Sequence, residues 1–164
     1  MQILTLGNEL LNKKADKIEK IDDEIIKLAD KMLKILKMEN GIGLAGPQIG
    51  LMKRIFVTHI EDDQARIFIN PSILETSVKT LKFEEGCLSI PGIYSNVERP
   101  QVIKIQAWNE KGRPFTLETG GLLARVILHE YDHLDGVLFI DRITESKRKK
   151  LEEKYKKANK AEKL

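Results

Sequence analysis

Hydrophobic positions along this 164-residue chain change their spacing several times, and each change marks an element. From Asp22 to about Glu39, Ile25, Leu28, Ala29, Met32, Leu33 and Leu36 recur at intervals of mainly three and four. That spacing predicts an amphipathic helix, with Asp22 or Asp23 as N-cap. Residues 54–60, 65–70 and 73–83 then carry apolar, β-branched and aromatic positions at strand-like spacing and read as three strands. Residues 102–108 alternate, with Ile103, Ile105 and Ala107 on one face, and 109–114 read as a hairpin turn into Phe115-Thr116-Leu117. A second helix is expected from about Thr119 to Leu134. It follows Gly120-Gly121, carries the apolar run 122–128 and stops before Gly136. From about residue 144 to 164 the chain is mostly charged and reads as a solvated C-terminal helix. The pattern predicts a single α+β domain over residues 1–164, with antiparallel or mixed sheets packed around the second helix.

Composition narrows this only a little. The chain is 41% hydrophobic, enough for one domain with a genuine core. Met1-Gln2-Ile3-Leu4 shows no basic region leading into an apolar stretch, and no apolar run reaches the roughly 20 residues that span a bilayer. A cytoplasmic protein without membrane contact is expected, a compartment that also keeps a thiol reduced.

Chemistry enters with His129-Glu130-Tyr131-Asp132-His133, an H-E-x-x-H sequence on the second helix. Residues four apart share a helix face, so His129 and His133 can present imidazoles to one point, with Glu130 beside it to hold a water. Two histidines satisfied in a core helix are the plain alternative. A metal site needs a third ligand. The metzincin position holds Phe139, which cannot ligate. The thermolysin-like position falls on Glu152 or Glu153, inside the solvated tail. Upstream stands the chain's one cysteine, in Glu84-Glu85-Gly86-Cys87-Leu88-Ser89-Ile90-Pro91. A thiolate with two imidazoles makes a tetrahedral set that leaves a fourth position open, as a catalytic metal requires. Here Gly86 permits close backbone approach, and Pro91 is expected to end any strand ladder. His59, at a strand end, reads as structural.

The segment 40–50, Asn-Gly-Ile-Gly-Leu-Ala-Gly-Pro-Gln-Ile-Gly, is a glycine-rich turn without the Lys-Ser/Thr of a phosphate loop. It is readable as a helix end and loop alone. It also sets Gln48 on backbone that can approach a ligand closely.

Together, Gly41-Ile42-Gly43-Leu44-Ala45-Gly46-Pro47-Gln48, Glu85-Gly86-Cys87-Leu88-Ser89 and His129-Glu130-Tyr131-Asp132-His133 resemble the three signature motifs of peptide deformylases, in the family's order. The likeness runs from Ile3 to about Ile143. It implies an enzyme that removes the N-formyl group from N-formylmethionine of nascent polypeptides and releases formate. It implies Cys87, His129 and His133 as ligands of one divalent metal, Fe2+ expected, with Zn2+, Ni2+ or Co2+ as possible substitutes. Glu130 would move the proton, while Gln48 and the Leu88 N–H would hold the developing oxyanion. Ile42, Leu122, Val126 and the stem of Arg125 would line the methionine pocket, with Gly43 and Gly86 pairing the peptide main chain. Asp132 and Asp135 are expected to accept from the ligand imidazoles, and Glu85 with Arg99 to form an ion pair under the cysteine loop.

Charge is uneven. From Arg142 to Leu164 there are ten Lys and Arg against four Glu, a net of +6, leaving −3 for residues 1–141. A solvated helix accounts for this as well as docking does, and the resemblance implies docking on the ribosome near the exit tunnel. With Tyr155 the one aromatic in the tail, sequence-specific nucleic-acid recognition is not expected. A zinc peptidase and a metal-stabilised RNA- or ribosome-binding module that relies on the basic tail are the competing functions.

Overall fold

The computed structural model describes residues 2–162. Helix α1 spans Asp23–Met38, one residue inside the expected range at each end, and the Asp22 carboxylate caps it by accepting from the Ile25 N–H. Strands β1 (Gly43–Ala45), β2 (Ile55–Thr58), β3 (Arg66–Thr76), β6 (Val102–Trp108) and β7 (Pro114–Gly120) form one sheet. Its order is β1-β2-β3-β6-β7, and every pairing is antiparallel. Strands β4 (Thr80–Cys87) and β5 (Ile90–Pro100) form a separate two-stranded ribbon, also antiparallel. Helices α2 (Gly121–Leu134) and α3 (Glu145–Glu162) complete the α+β fold.

The near-continuous apolar runs of β2 and β3 are explained by what covers them. Ile55, Val57, Ile67 and Ile69 face α1 and pack with Met32 and Leu36. Phe56 and Phe68 point the other way, toward Ala124 and Ile127 of α2. A strand buried on both faces loses the hydrophobic-polar alternation. The sheet is therefore sandwiched between the two helices. A third cluster joins Ile90, Ile93 and Val97 of β5 to Phe139, Ile140 and Tyr155, and so seats α3 against the ribbon.

Three expectations need correction. Residues 73–83 are not one strand: β3 runs on to Thr76, and a turn at 77–79 leads into β4. Pro91 does not end the ladder. It lies in β5 within a register jump, where Gly86 pairs with Tyr94 but Cys87 pairs with Ile90. A proline, lacking an N–H, is tolerated where a bulge takes it out of the ladder, and Gly92 at φ +78° completes the bulge. The glycine-rich segment is only partly a turn. Residues 43–45 pair with β2, and Gly46–Ile49 form a 3-10 helix. Helix α2 ends as read, with Gly136 at φ +73° and the Asn12 backbone packed 2.6 Å from where a Cβ would sit.

Candidate metal centre

The site forms where three elements meet. Helix α2 supplies His129, Glu130 and His133 on one face, as four-residue spacing dictates. The end of β4 supplies Cys87, and the turn after β1 supplies Gln48. The ligand atoms of Cys87, His129 and His133 all lie within 4.8 Å of one another. Cys87 Sγ is 3.3 Å from His133 Nε2. A tetrahedral ion about 2.3 Å from sulfur and about 2.0–2.1 Å from nitrogen needs donors roughly that far apart, so the set fits a zinc- or iron-type divalent ion.

Glu130 is buried beside the cluster. Its Oε1 is 4.0 Å from His129 Nε2, and its Oε2 has no hydrogen-bond partner among the described residues. Burial is the main reason the Glu130 carboxyl is raised to about 7; His129 opposes the rise and Glu85 adds to it. A cation in the site would pull it back down. Gly43 is required here: a Cβ at that position would stand 2.7 Å from Glu130 Oε1 and 2.9 Å from Val126 Cγ1. Gly46, by contrast, is closed over by backbone, with the Leu51 and Lys53 carbonyl oxygens 2.7 and 2.8 Å from its Cβ site.

A buried ion cluster stands behind His129. Its Nδ1 donates to Glu85 Oε1 at 2.9 Å, which frees Nε2 to face the ligand point. Arg99 grips Glu85 with two bonds (2.6 and 3.0 Å) and reaches Asp132 with a third (2.9 Å). Arg125 adds a bond to Glu85 Oε2 at 2.7 Å, and Arg142 holds Asp132 from the far side at 2.7 and 3.0 Å. Burial pushes the Glu85 carboxyl up, but the His129 N–H and Arg99 prevail and hold it at about 2. For His129, burial favours the neutral ring, yet Cys87 and Glu85 outweigh it and raise its pKa. His133 is lowered by burial first and then by the charge of His129 and Arg99. Its Nδ1 has no partner among the described residues.

The placement of the remaining sequence-read residues is mixed. Ile42, Gly43, Gly86, Leu88, Leu122, Arg125 and Val126 all line one cleft of about 540 Å³, whose wall also includes Cys87, His129 and Glu130. Arg125 is more than a pocket wall, however. Its guanidinium is spent on Glu85 and on the Val97 and Leu81 carbonyls, with Phe83 over it. Asp135 is a correction: it pairs with Arg54 at 3.0 Å and reaches no ligand imidazole. Two positions after His133 is the opposite side of a helix. Asp132 is also corrected, since it is bonded to Arg99 and Arg142, and acts on His129 only through Arg99 and Glu85. Phe139 is core, its ring 6.0 Å from that of His129. Glu152 is engaged by Arg148 on α3, and the His59 side chain is exposed after β2. Arg142 and Ser89 were not read as site residues. A charged residue inside the apolar run 122–128 was a visible sign of a buried partner for Arg125; Arg142 carried no such sign.

The family model for polypeptide deformylase matches residues 1–149. The chain belongs to the peptide deformylase family. It is 46% identical to the peptide deformylase of Borreliella burgdorferi over 157 residues, 94% of each chain. It is 50% identical to that of Clostridium botulinum over 138 residues, 84% of this chain and 92% of the relative. Among solved structures it superposes on peptide deformylase from Ehrlichia chaffeensis in complex with actinonin with a TM-score of 0.93, at 34% identity and 96% of both chains. As a deformylase the chain is an enzyme, a metal-dependent hydrolase that takes the formyl group from nascent peptides. The peptidase and the binding-module readings fall with that assignment. No helix among the described residues is long and apolar enough to cross a membrane.

Proposed function

We propose that Cys87, His129 and His133 hold the single metal ion of this deformylase and that Glu130, Gln48 and Leu88 carry out the hydrolysis beside it. The convergence of one thiol and two imidazoles within 4.8 Å, from β4 and α2, carries this reading. A divalent ion held there supplies Lewis acidity, which polarises the formyl carbonyl and acidifies water.

The chain's own groups do the rest. Glu130, whose Oε2 has no partner among the described residues, takes a proton from the attacking water and returns it to the departing amine. The Gln48 side-chain amide and the Leu88 N–H donate to the formyl oxygen as negative charge grows on it. Ile42, Leu122, Val126 and the stem of Arg125 receive the methionine side chain. Gly43 and Gly86 offer their main-chain groups for the peptide to pair alongside, as β-augmentation requires. Glu85 keeps His129 oriented by accepting its Nδ1–H.

Ferrous iron is the resident metal in this reading, with zinc, nickel or cobalt as substitutes; the mixed sulfur and nitrogen donors suit all four. The enzyme works in the cytoplasm as one catalytic unit. The basic tail, net +6 from Arg142 onward, docks on the ribosome near the exit tunnel so that nascent formyl-Met peptides meet the cleft early. Loss of ribosome co-sedimentation on raising salt, and on replacing the tail lysines by glutamine, tests that docking. Cobalt substitution tests the ligand set. The wild type should show a thiolate-to-metal charge-transfer band that Cys87→Ser lacks; an unchanged spectrum in the variant would remove Cys87 from the site.

A further inference from the structure

We propose that Ser89 is a positioning residue that fixes the orientation of the Gln48 amide. Gln48 and Ser89 are both sealed from solvent, at 1% and 0% exposure. The Ala45 N–H donates to Gln48 Oε1 at 2.9 Å. A backbone N–H can only donate, so the oxygen end of the amide is fixed and Nε2 faces the cysteine loop. There one N–H of Nε2 donates to Ser89 Oγ at 3.1 Å, and Cys87 Sγ lies 3.5 Å from the same nitrogen. An NH2 group carries two hydrogens. Ser89 takes one, and the second is donated to Cys87 Sγ, which aims it at the place where the formyl oxygen would arrive.

Ser89 does not line the cleft, so any effect it has on the reaction passes through Gln48. The pair is also braced from behind. The Leu4 N–H donates to the Gln48 carbonyl at 2.7 Å and the Leu6 N–H to the Ser89 carbonyl at 2.9 Å. With both backbones pinned, the hydroxyl decides where the amide plane lies. Removing it leaves a buried N–H without its acceptor and lets the donor swing away from the developing charge. That loss falls on the transition state and spares ground-state binding.

The inference rests on the role proposed for Gln48, and the experiment separates the two. Formate release from a formyl-Met peptide is compared for wild type, Ser89→Ala, Gln48→Ala and the double variant, with metal content and Tm measured for each. The expected result for Ser89→Ala is a kcat about tenfold lower with KM changed less than about twofold, and full metal content. In the Gln48→Ala background the same change should move kcat less than about twofold, because the group it orients is gone. Ser89→Thr, which keeps the hydroxyl, should recover most of the lost kcat. Should Ser89→Ala lose metal or melt early, Ser89→Cys, similar in size and a weaker acceptor, carries the same cycle. An unchanged kcat in Ser89→Ala while Gln48→Ala is impaired would overturn the Ser89 role alone. An undiminished tenfold loss in the Gln48→Ala background would do the same. Wild-type kcat in Gln48→Ala would remove both residues from the mechanism.

Discussion

The charged cluster behind His129 and the charged face of α3 use the same residue types to opposite ends. Behind the site, Glu85, Arg99, Arg125 and Asp132 are buried and share bonds so closely that each carboxylate meets two guanidinium groups. On α3, Arg148 pairs with Glu152 and Lys149 with Glu145 at four-residue spacing, largely in water. A buried charge depends on its partner because nothing else solvates it, whereas an exposed one falls back on water. The first arrangement holds an imidazole in place, and the second keeps a helix soluble and basic.

The largest expected effect follows from breaking the buried side. Arg99→Ala removes the cation that Glu85 and Asp132 share, leaving each buried carboxylate with one guanidinium, and should cost about 3–5 kcal/mol of stability, read from urea unfolding. A loss below about 1 kcal/mol would mean that the two regions do not differ as described. Next comes Glu85→Gln, which keeps an acceptor for His129 but drops the charge that holds it. Metal affinity should fall about 10–100-fold, measured by competition with a chelator. Arg125→Lys keeps the charge but not the fork that reaches Glu85, Val97 and Leu81 at once. We expect a loss of about 1–2 kcal/mol, from the bonds to these groups that a single ammonium cannot make together. The smallest effect belongs to the other region. Lys149→Ala, which removes only the exposed pair with Glu145, should change stability by no more than about 0.5 kcal/mol in urea unfolding, and that small term should shrink further in high salt.

The same contrast explains what could be read from the sequence. Helix α1 was legible because its apolar stripe has one period and one face, and β6 because it alternates over its full length. The candidate ligand set, which the structure brings within 4.8 Å, was legible because Cys, His and the four-residue spacing restrict the chemistry to a few families. Strand β5 was not, because Pro91 and Gly92 carry the signals of a break, and only pairing with β4 turns them into a bulge. The supporting cluster was half legible. Glu85 with Arg99 was expected, but Arg125 reaches Glu85 from 40 residues away, and Arg142 reaches Asp132 only because the chain turns back after α2, which no local pattern encodes. Asp135 was misplaced by reading nearness in sequence as nearness in space. Ser89 was invisible for a different reason: a serine's role depends on which single group its hydroxyl meets, here the Gln48 amide.

All of these supports serve the claim that Glu130 moves the proton in a Cys87-His129-His133 site. The most direct measurement is formate release from a formyl-Met peptide by anaerobically prepared wild type beside Glu130→Ala, with metal content determined for both. The expected result is one metal per chain in each protein, with formate release at least about 100-fold slower in the variant. Equal rates in the two proteins, or no formate from metal-loaded wild type, would contradict the account.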